Sequence, residues 1–169
     1  MLTKSFKMTL NTIQLNPSML AEFYAGVLVE TGPLAAPSTK EIRFLGNNKK
    51  NILVMVNHEE IPFLTDTELN FLSQVLGACR LSLADIAIVN FHPDGSTQIQ
   101  EVFHTLQPVK ILLFNVDPLS IGLPINFPWF QVQDFDRRKY LFSPSLSEIE
   151  QDKLLKQKLW ASLKNMFDI

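Results

Sequence analysis

A single cysteine, Cys79, is all the chain has, so it carries neither a disulfide framework nor a cysteine-based metal site. Cys79 falls on the apolar stripe of a predicted helix and reads as a small core residue. Gly46 and Gly77 stand isolated, GxGxxG is absent and no Gly-rich phosphate loop can be drawn. A GxSxG nucleophile elbow is missing as well. The three histidines sit on separate segments, without the i, i+4 spacing of a helical zinc site. No apolar run approaches the ~20 residues that cross a bilayer. The opening MLTKSFKMTLNTIQ has polar residues every few positions, which argues against a secretory signal and for a cytoplasmic protein. An excess of positive charge is also lacking: 15 basic against 17 acidic residues give a net charge of −2. Gripping nucleic acid needs clustered cations that displace counterions, so little direct nucleic-acid binding is expected. No cofactor, no metal site and no catalytic residue is assigned.

What the chain does have is core material. At 169 residues, 46% apolar and 19% charged, it is long and greasy enough for one well-filled domain. Its 13 Phe residues supply either a bulky core or aromatic anchors for partners. The most informative stretch is Asn51 to Leu76. Ile52 to Val56 is an unbroken apolar run, which reads as a strand covered on both faces. A polar corner follows, and then a helix start in which Thr65 is the N-cap and Glu68, three residues on, completes a capping box.

Along the rest of the chain the same grammar recurs. Residues 1–14 read as a weakly ordered arm. In LNPSMLAEFYAGVLVE, Asn16 or Ser18 can cap, Pro17 suits the first turn, and Met19, Leu20, Phe23 and Val27 form an apolar stripe. TGPLAAPST is a breaker, so we place an N-terminal arm and helix at residues 1–30, either packed on the domain or offered to a partner, and a single α/β domain at residues 31–169. Glu41 to Leu45 could be a short edge strand. The stripe Leu69, Leu72, Leu76 and Cys79 marks a buried helix face. Asp85 to Phe91 is a second buried strand, and His92-Pro93-Asp94-Gly95 is a turn, with Ser96 as a cap for the following helix. That helix shows Ile99, Val102, Phe103 and Leu106 at i, i+3, i+4, i+7 and ends before Pro108. Val109 to Asn115 is a third strand. After a Pro- and Gly-rich loop, Trp129 to Phe135 and Lys139 to Phe142 form short strands. Ser145 and Glu148 make a second capping box, opening one final helix to about Phe167 with Ile149, Leu155, Leu159, Leu163 and Met166 or Phe167 on its face. Alternation of strand and helix predicts an α/β three-layer α/β/α sandwich around a mainly parallel central sheet of four or five strands with right-handed crossovers.

Candidate chemistry is thin. Asn57-His58-Glu59-Glu60 lies at the carboxyl end of the first buried strand, where open α/β sheets place ligands, and a His with carboxylates can do acid–base or metal chemistry. A solvated strand-end loop is the simpler reading. The same holds for His92 in its turn, for His104 on the outside of a helix, and for the charged turn Asp134, Asp136, Arg137, Arg138 and Lys139. Trp129 and Trp160 are either core residues or interface anchors, where Trp is enriched.

Two blocks, ILVMVNHEEIPFLTDTELNFLSQVL and FSPSLSEIEQDKLLKQKLWASLKNMF, resemble the psi subunit of the bacterial DNA polymerase III holoenzyme. The first carries the LVMV strand and the helix start Leu64-Thr65-Asp66, and the second the Ser-Pro start and the pair Leu159-Trp160. Together they cover about a third of the chain. The resemblance implies a non-catalytic accessory subunit that bridges the clamp loader to other replisome components, with clamp-loader subunits as partners and a chi-like subunit where one exists. Leu10, Ile13, Leu15, Met19, Leu20 and Phe23 would be the clamp-loader-binding segment. The chain departs from that family in lacking a Trp in the arm and in its helix-like NPSMLAEFY; the loop from Asp117 to Pro128 has no counterpart. The psi fold is similar to that of uracil-DNA glycosylases, which leaves a nucleic-acid enzyme as the alternative, with Asn57 handling water and His92-Pro93 mimicking a catalytic loop. A scaffold outside replication is the third reading.

Overall fold

The apolar runs become strands because each can be buried on both sides. A computed structural model gives the fold of residues 42–124 and 126–169, all within one compact unit, Glu41–Ile169. The N-terminal segment expected to bind a partner, and the expected boundary near residue 30, lie outside the described residues. The strands are β1 (Leu45–Gly46), β2 (Ile52–Val56), β3 (Ile86–Asn90), β4 (Lys110–Phe114), β5 (Val132–Phe135) and β6 (Arg138–Ser143). The α-helices among the described residues are α1 (Asp66–Ala78), α2 (Ile99–Leu106), α3 (Leu146–Gln151) and α4 (Lys153–Phe167). The protein is therefore mixed α/β.

The sheet has six strands in the order β1-β3-β2-β4-β6-β5, where four or five were expected. Its centre is parallel and both its edges are antiparallel. The antiparallel edges come from local chemistry. Asp136 and Arg137 both have positive φ, 48° and 60°, the turn that folds β5 back on β6 as a hairpin. At the other edge Gly46 has φ +109°, and a Cβ there would lie 2.2 Å from the Ile86 carbonyl oxygen. Only glycine brings β1 this close to β3.

Alternation along the strands builds two cores. Ile88, Val54, Leu112 and Leu141 are neighbours in register across β3, β2, β4 and β6, and all belong to the face covered by Phe71, Leu72 and Leu76 of α1, Leu146 and Ile149 of α3, and Leu159, Leu163 and Met166 of α4. Ala87, Leu53, Ile111 and Tyr140 form the matching row on the opposite face, beneath Val102 and Leu106 of α2 and the segment carrying Ile121, Leu123 and Phe127. Each fully buried Leu or Ile contributes about 1.5–3 kcal/mol of apolar transfer.

Helix β2-to-β3 crossover α1 and helix β3-to-β4 crossover α2 lie on opposite faces while the chain moves in opposite directions across the sheet. The two reversals cancel, so both crossovers have the same hand.

Helix boundaries follow the caps. Thr65 and Glu68 form the expected capping box for α1, and Ser145 and Glu148 the one for α3. Two expectations are corrected. The final helix is not continuous: Asp152, in extended conformation, accepts from the N–H groups of Leu154 and Leu155 and restarts the chain as α4. A short acidic side chain bonding its own downstream backbone competes with helix continuation. Nor does Ser96 cap α2, whose N-cap is Gln98 without a side-chain bond; the Ser96 N–H instead donates to Asp94 Oδ1 in the preceding turn.

Candidate functional site

The carboxyl ends of the parallel strands are where an open α/β sheet binds ligands, at the point where strand order reverses. Here that point lies between β2, which connects towards β3, and β4, which connects towards β6. The residues immediately beyond these strands are Asn57, partly buried, and Asn115, exposed with φ 55°. The Asn115 N–H donates to the Ser143 carbonyl. His92 follows β3, on the other side of β2, and so does not face Asn57 across the switch point.

The polar groups on this rim are wired inward. Asn90, the last residue of β3, is 8% exposed. Its Oδ1 accepts from the His58 N–H at 2.9 Å, and its Nδ2 donates to the carbonyls of His58 (2.9 Å) and Ile61 (2.8 Å). One amide side chain thus pins the whole corner after β2. The loop after β3 is tied to the same residue: Thr97 Oγ1 donates to the Asn90 carbonyl and accepts from the His92 N–H.

Glu68 is the second hub, only 3% exposed although ionisable. Its Oε2 accepts from the Thr65 N–H and hydroxyl, and its Oε1 from the Ser147 hydroxyl at the start of α3. His58 Nε2 stands 3.1 Å from the same Oε2. Burial alone would push this carboxyl up. The hydrogen bonds from Thr65 and Ser147 and the nearby His58 outweigh burial and hold it below the ordinary glutamate value. The order Ser147–Glu68–His58 has the carboxylate in the middle. It is therefore not a nucleophile–base relay, which needs the imidazole between the hydroxyl and the acid.

Each residue singled out from the sequence now has a place. His58 contacts Glu68; Glu59 and Glu60 are exposed. His104 is on the exposed side of α2. Cys79 is buried beyond the end of α1, and burial pushes its thiol up, away from thiolate chemistry. Of the charged turn, Arg138 pairs with Asp136 at 2.8 Å and donates to the Pro108 carbonyl, a hairpin contact. Trp129 is 57% exposed with its ring edge-on to Phe142, and Trp160 is partly buried against the helical face of the core. Asn90, Ser147 and Asn115 were not singled out from the sequence. Asn90 and Ser147 act through partners 32 and 79 residues away, a separation that no local pattern encodes.

Among the described residues, no group of three His, Cys, Asp or Glu side chains is arranged to hold a metal ion, and no helix is long and apolar enough to cross a membrane. No protein-family model matches this chain, and no curated protein matches it.

Proposed function

We propose that the chain is a non-catalytic accessory subunit, psi-like, that joins the clamp loader of DNA polymerase III to other replisome components in the cytoplasm. The observation that carries this reading is the inward wiring of the rim. Asn90 spends both amide protons and its oxygen on the corner after β2, and Glu68 holds His58 while serving as a helix cap. The Asn90 amide and the Glu68 carboxylate thus meet the chain's own groups instead of a substrate. The resemblance of Ile52–Leu76 and Phe142–Phe167 to the psi family supplies the identity of the partner. The three-layer α/β/α reading of the fold belongs with it. Binding would work through a few apolar anchors of the N-terminal segment, Leu10, Ile13, Leu15, Met19, Leu20 and Phe23, offered to a groove on a clamp-loader subunit.

The test is affinity purification of the tagged full-length chain from its own cells. Clamp-loader subunits of polymerase III are expected to co-purify at near-stoichiometric yield, and a chi-like subunit with them where the cell has one. Purification of the chain with no polymerase III subunit overturns the proposal. Release of free base from uracil-containing single-stranded DNA, abolished by Asn57→Ala, would replace it with the glycosylase reading.

A further inference from the structure

Helices α1 and α4 pack on the same face of the sheet but leave an apolar groove between them, about 230 Å³ in volume. The wall from α1 is Phe71, Gln74, Val75 and Ala78, and the wall from α4 is Lys156, Leu159, Trp160 and Leu163. Each set follows the i, i+3, i+4, i+7 spacing, so two helical stripes face each other along the groove. Both walls are free of carboxylates: Leu69–Ala78 carries no charge, and Lys153–Phe167 carries Lys153, Lys156, Lys158 and Lys164 with no Asp or Glu. This is a cationic strip on a chain whose net charge is −2. Two of its ammonium groups stand over the aromatic rings, Lys156 Nζ 5.5 Å from the Phe71 centroid and Lys164 Nζ 5.3 Å from the Trp160 centroid. Small-molecule sites run from about 300 to about 1,000 Å³. This groove is below that range and has the size for one or two anchoring side chains.

We infer that the groove between α1 and α4 docks an acidic peptide segment of a partner protein. One or two of its bulky apolar side chains fill the space over Phe71, Val75 and Leu159, and its carboxylates meet Lys156 and Lys164. A partly exposed Trp beside lysines suits such a contact, because Trp is the residue most enriched among interface anchors and apolar contact alone does not choose between charges. The inference goes beyond the proposed replisome role. It uses a surface other than the N-terminal segment, so loss of clamp-loader binding leaves it standing.

The test uses the full chain carrying Trp129→Phe, in which Trp160 is the remaining tryptophan. The probe is a synthetic amphipathic peptide with Leu at helical spacing and Glu elsewhere, and the control has Lys in place of Glu. The Glu peptide is expected to shift Trp160 emission saturably, with affinity falling about tenfold in Lys156→Glu and weakening further as salt screens the exposed charges. The Lys peptide is expected to leave the emission unchanged. Lys156 is exposed, so the variant's unfolding midpoint serves as the control for folding. Equal binding of both peptides, an unchanged affinity in Lys156→Glu, or no shift at all overturns the inference. So does a Trp160 already shielded from acrylamide in the free chain, which would mean that the chain covers its own groove. Sedimentation as a dimer that Lys156→Glu dissociates would give the groove to a second copy instead, and also overturns it.

Discussion

The rim of the sheet and the groove between α1 and α4 divide the polar and apolar resources of this chain in opposite ways. On the rim, Asn90, Glu68, His58, Thr65, Thr97 and Ser147 look like the raw material of a catalytic site, yet their hydrogen bonds close on one another and on the backbone. In the groove, Phe71, Val75, Trp160 and Leu163 look like ordinary core, yet they leave space open at the surface under lysines. The contrast teaches that a polar residue is a functional candidate only when its partners are not already supplied by the fold. An apolar stripe becomes one where packing leaves a gap between two helices, as beside Val75 and Trp160.

Variants that remove a rim hub should break the fold, and the largest effect is expected from Glu68→Ala. It leaves the Thr65 N–H and the Ser147 hydroxyl without their acceptor and His58 Nε2 without its partner, in a site 3% exposed. A loss of about 3 kcal/mol in urea denaturation is expected; a loss under about 1 kcal/mol would show that the hub is decorative. Next comes Asn90→Ala, which frees the corner after β2 by removing three hydrogen bonds. It should cost about 2 kcal/mol and raise amide hydrogen exchange at His58, while the core of β4 stays protected.

The same hub has a pH signature. Because the folded protein holds the Glu68 carboxyl below its ordinary value of 4.5, the unfolded chain binds the extra proton as the medium acidifies. The contribution of Glu68 is therefore fully present above that value and is lost as pH falls through the lower folded value. Denaturation of the wild type and of Glu68→Gln, compared at descending pH, should show the stability gap between them narrowing below the ordinary glutamate range; a gap independent of pH would contradict the assignment. The smallest effect sharpens the other side of the comparison. Lys156→Glu, on an exposed position of the groove, should change unfolding free energy by less than about 0.5 kcal/mol, as read by the same denaturation curves.

How much of this was legible in the sequence depends on the distance over which each signal acts. Ile52–Val56 and its neighbours β3 and β4 were readable because a strand buried on both faces needs an unbroken apolar run. Both capping boxes were readable because Thr65 with Glu68, and Ser145 with Glu148, act over three residues. The break at Asp152 is as local, but the apolar spacing from Ile149 to Phe167 continues across it and hides the cap. The antiparallel edges depend on backbone: positive φ at Asp136 and Arg137, and a glycine at 46 whose missing Cβ matters only beside Ile86. At the site, Asn57 and His58 were found because they follow a strand. Asn90 was not, since as the last residue of β3 it looks like a strand end and its partners come from the loop 32 residues away. Lys156 reads as one more solvated helix lysine until Phe71 of α1 is placed beneath it.

The measurement that separates rim from contact surface most directly is binding of purified clamp loader to two full-length variants, His58→Ala with His92→Ala, and Leu20→Ala with Phe23→Ala. The expected result is that the histidine variant binds as the wild type does, while the apolar variant loses binding by about a hundredfold, as two truncated anchors would cost. Binding lost with the histidines and kept without the anchors would contradict the division of labour proposed for this chain.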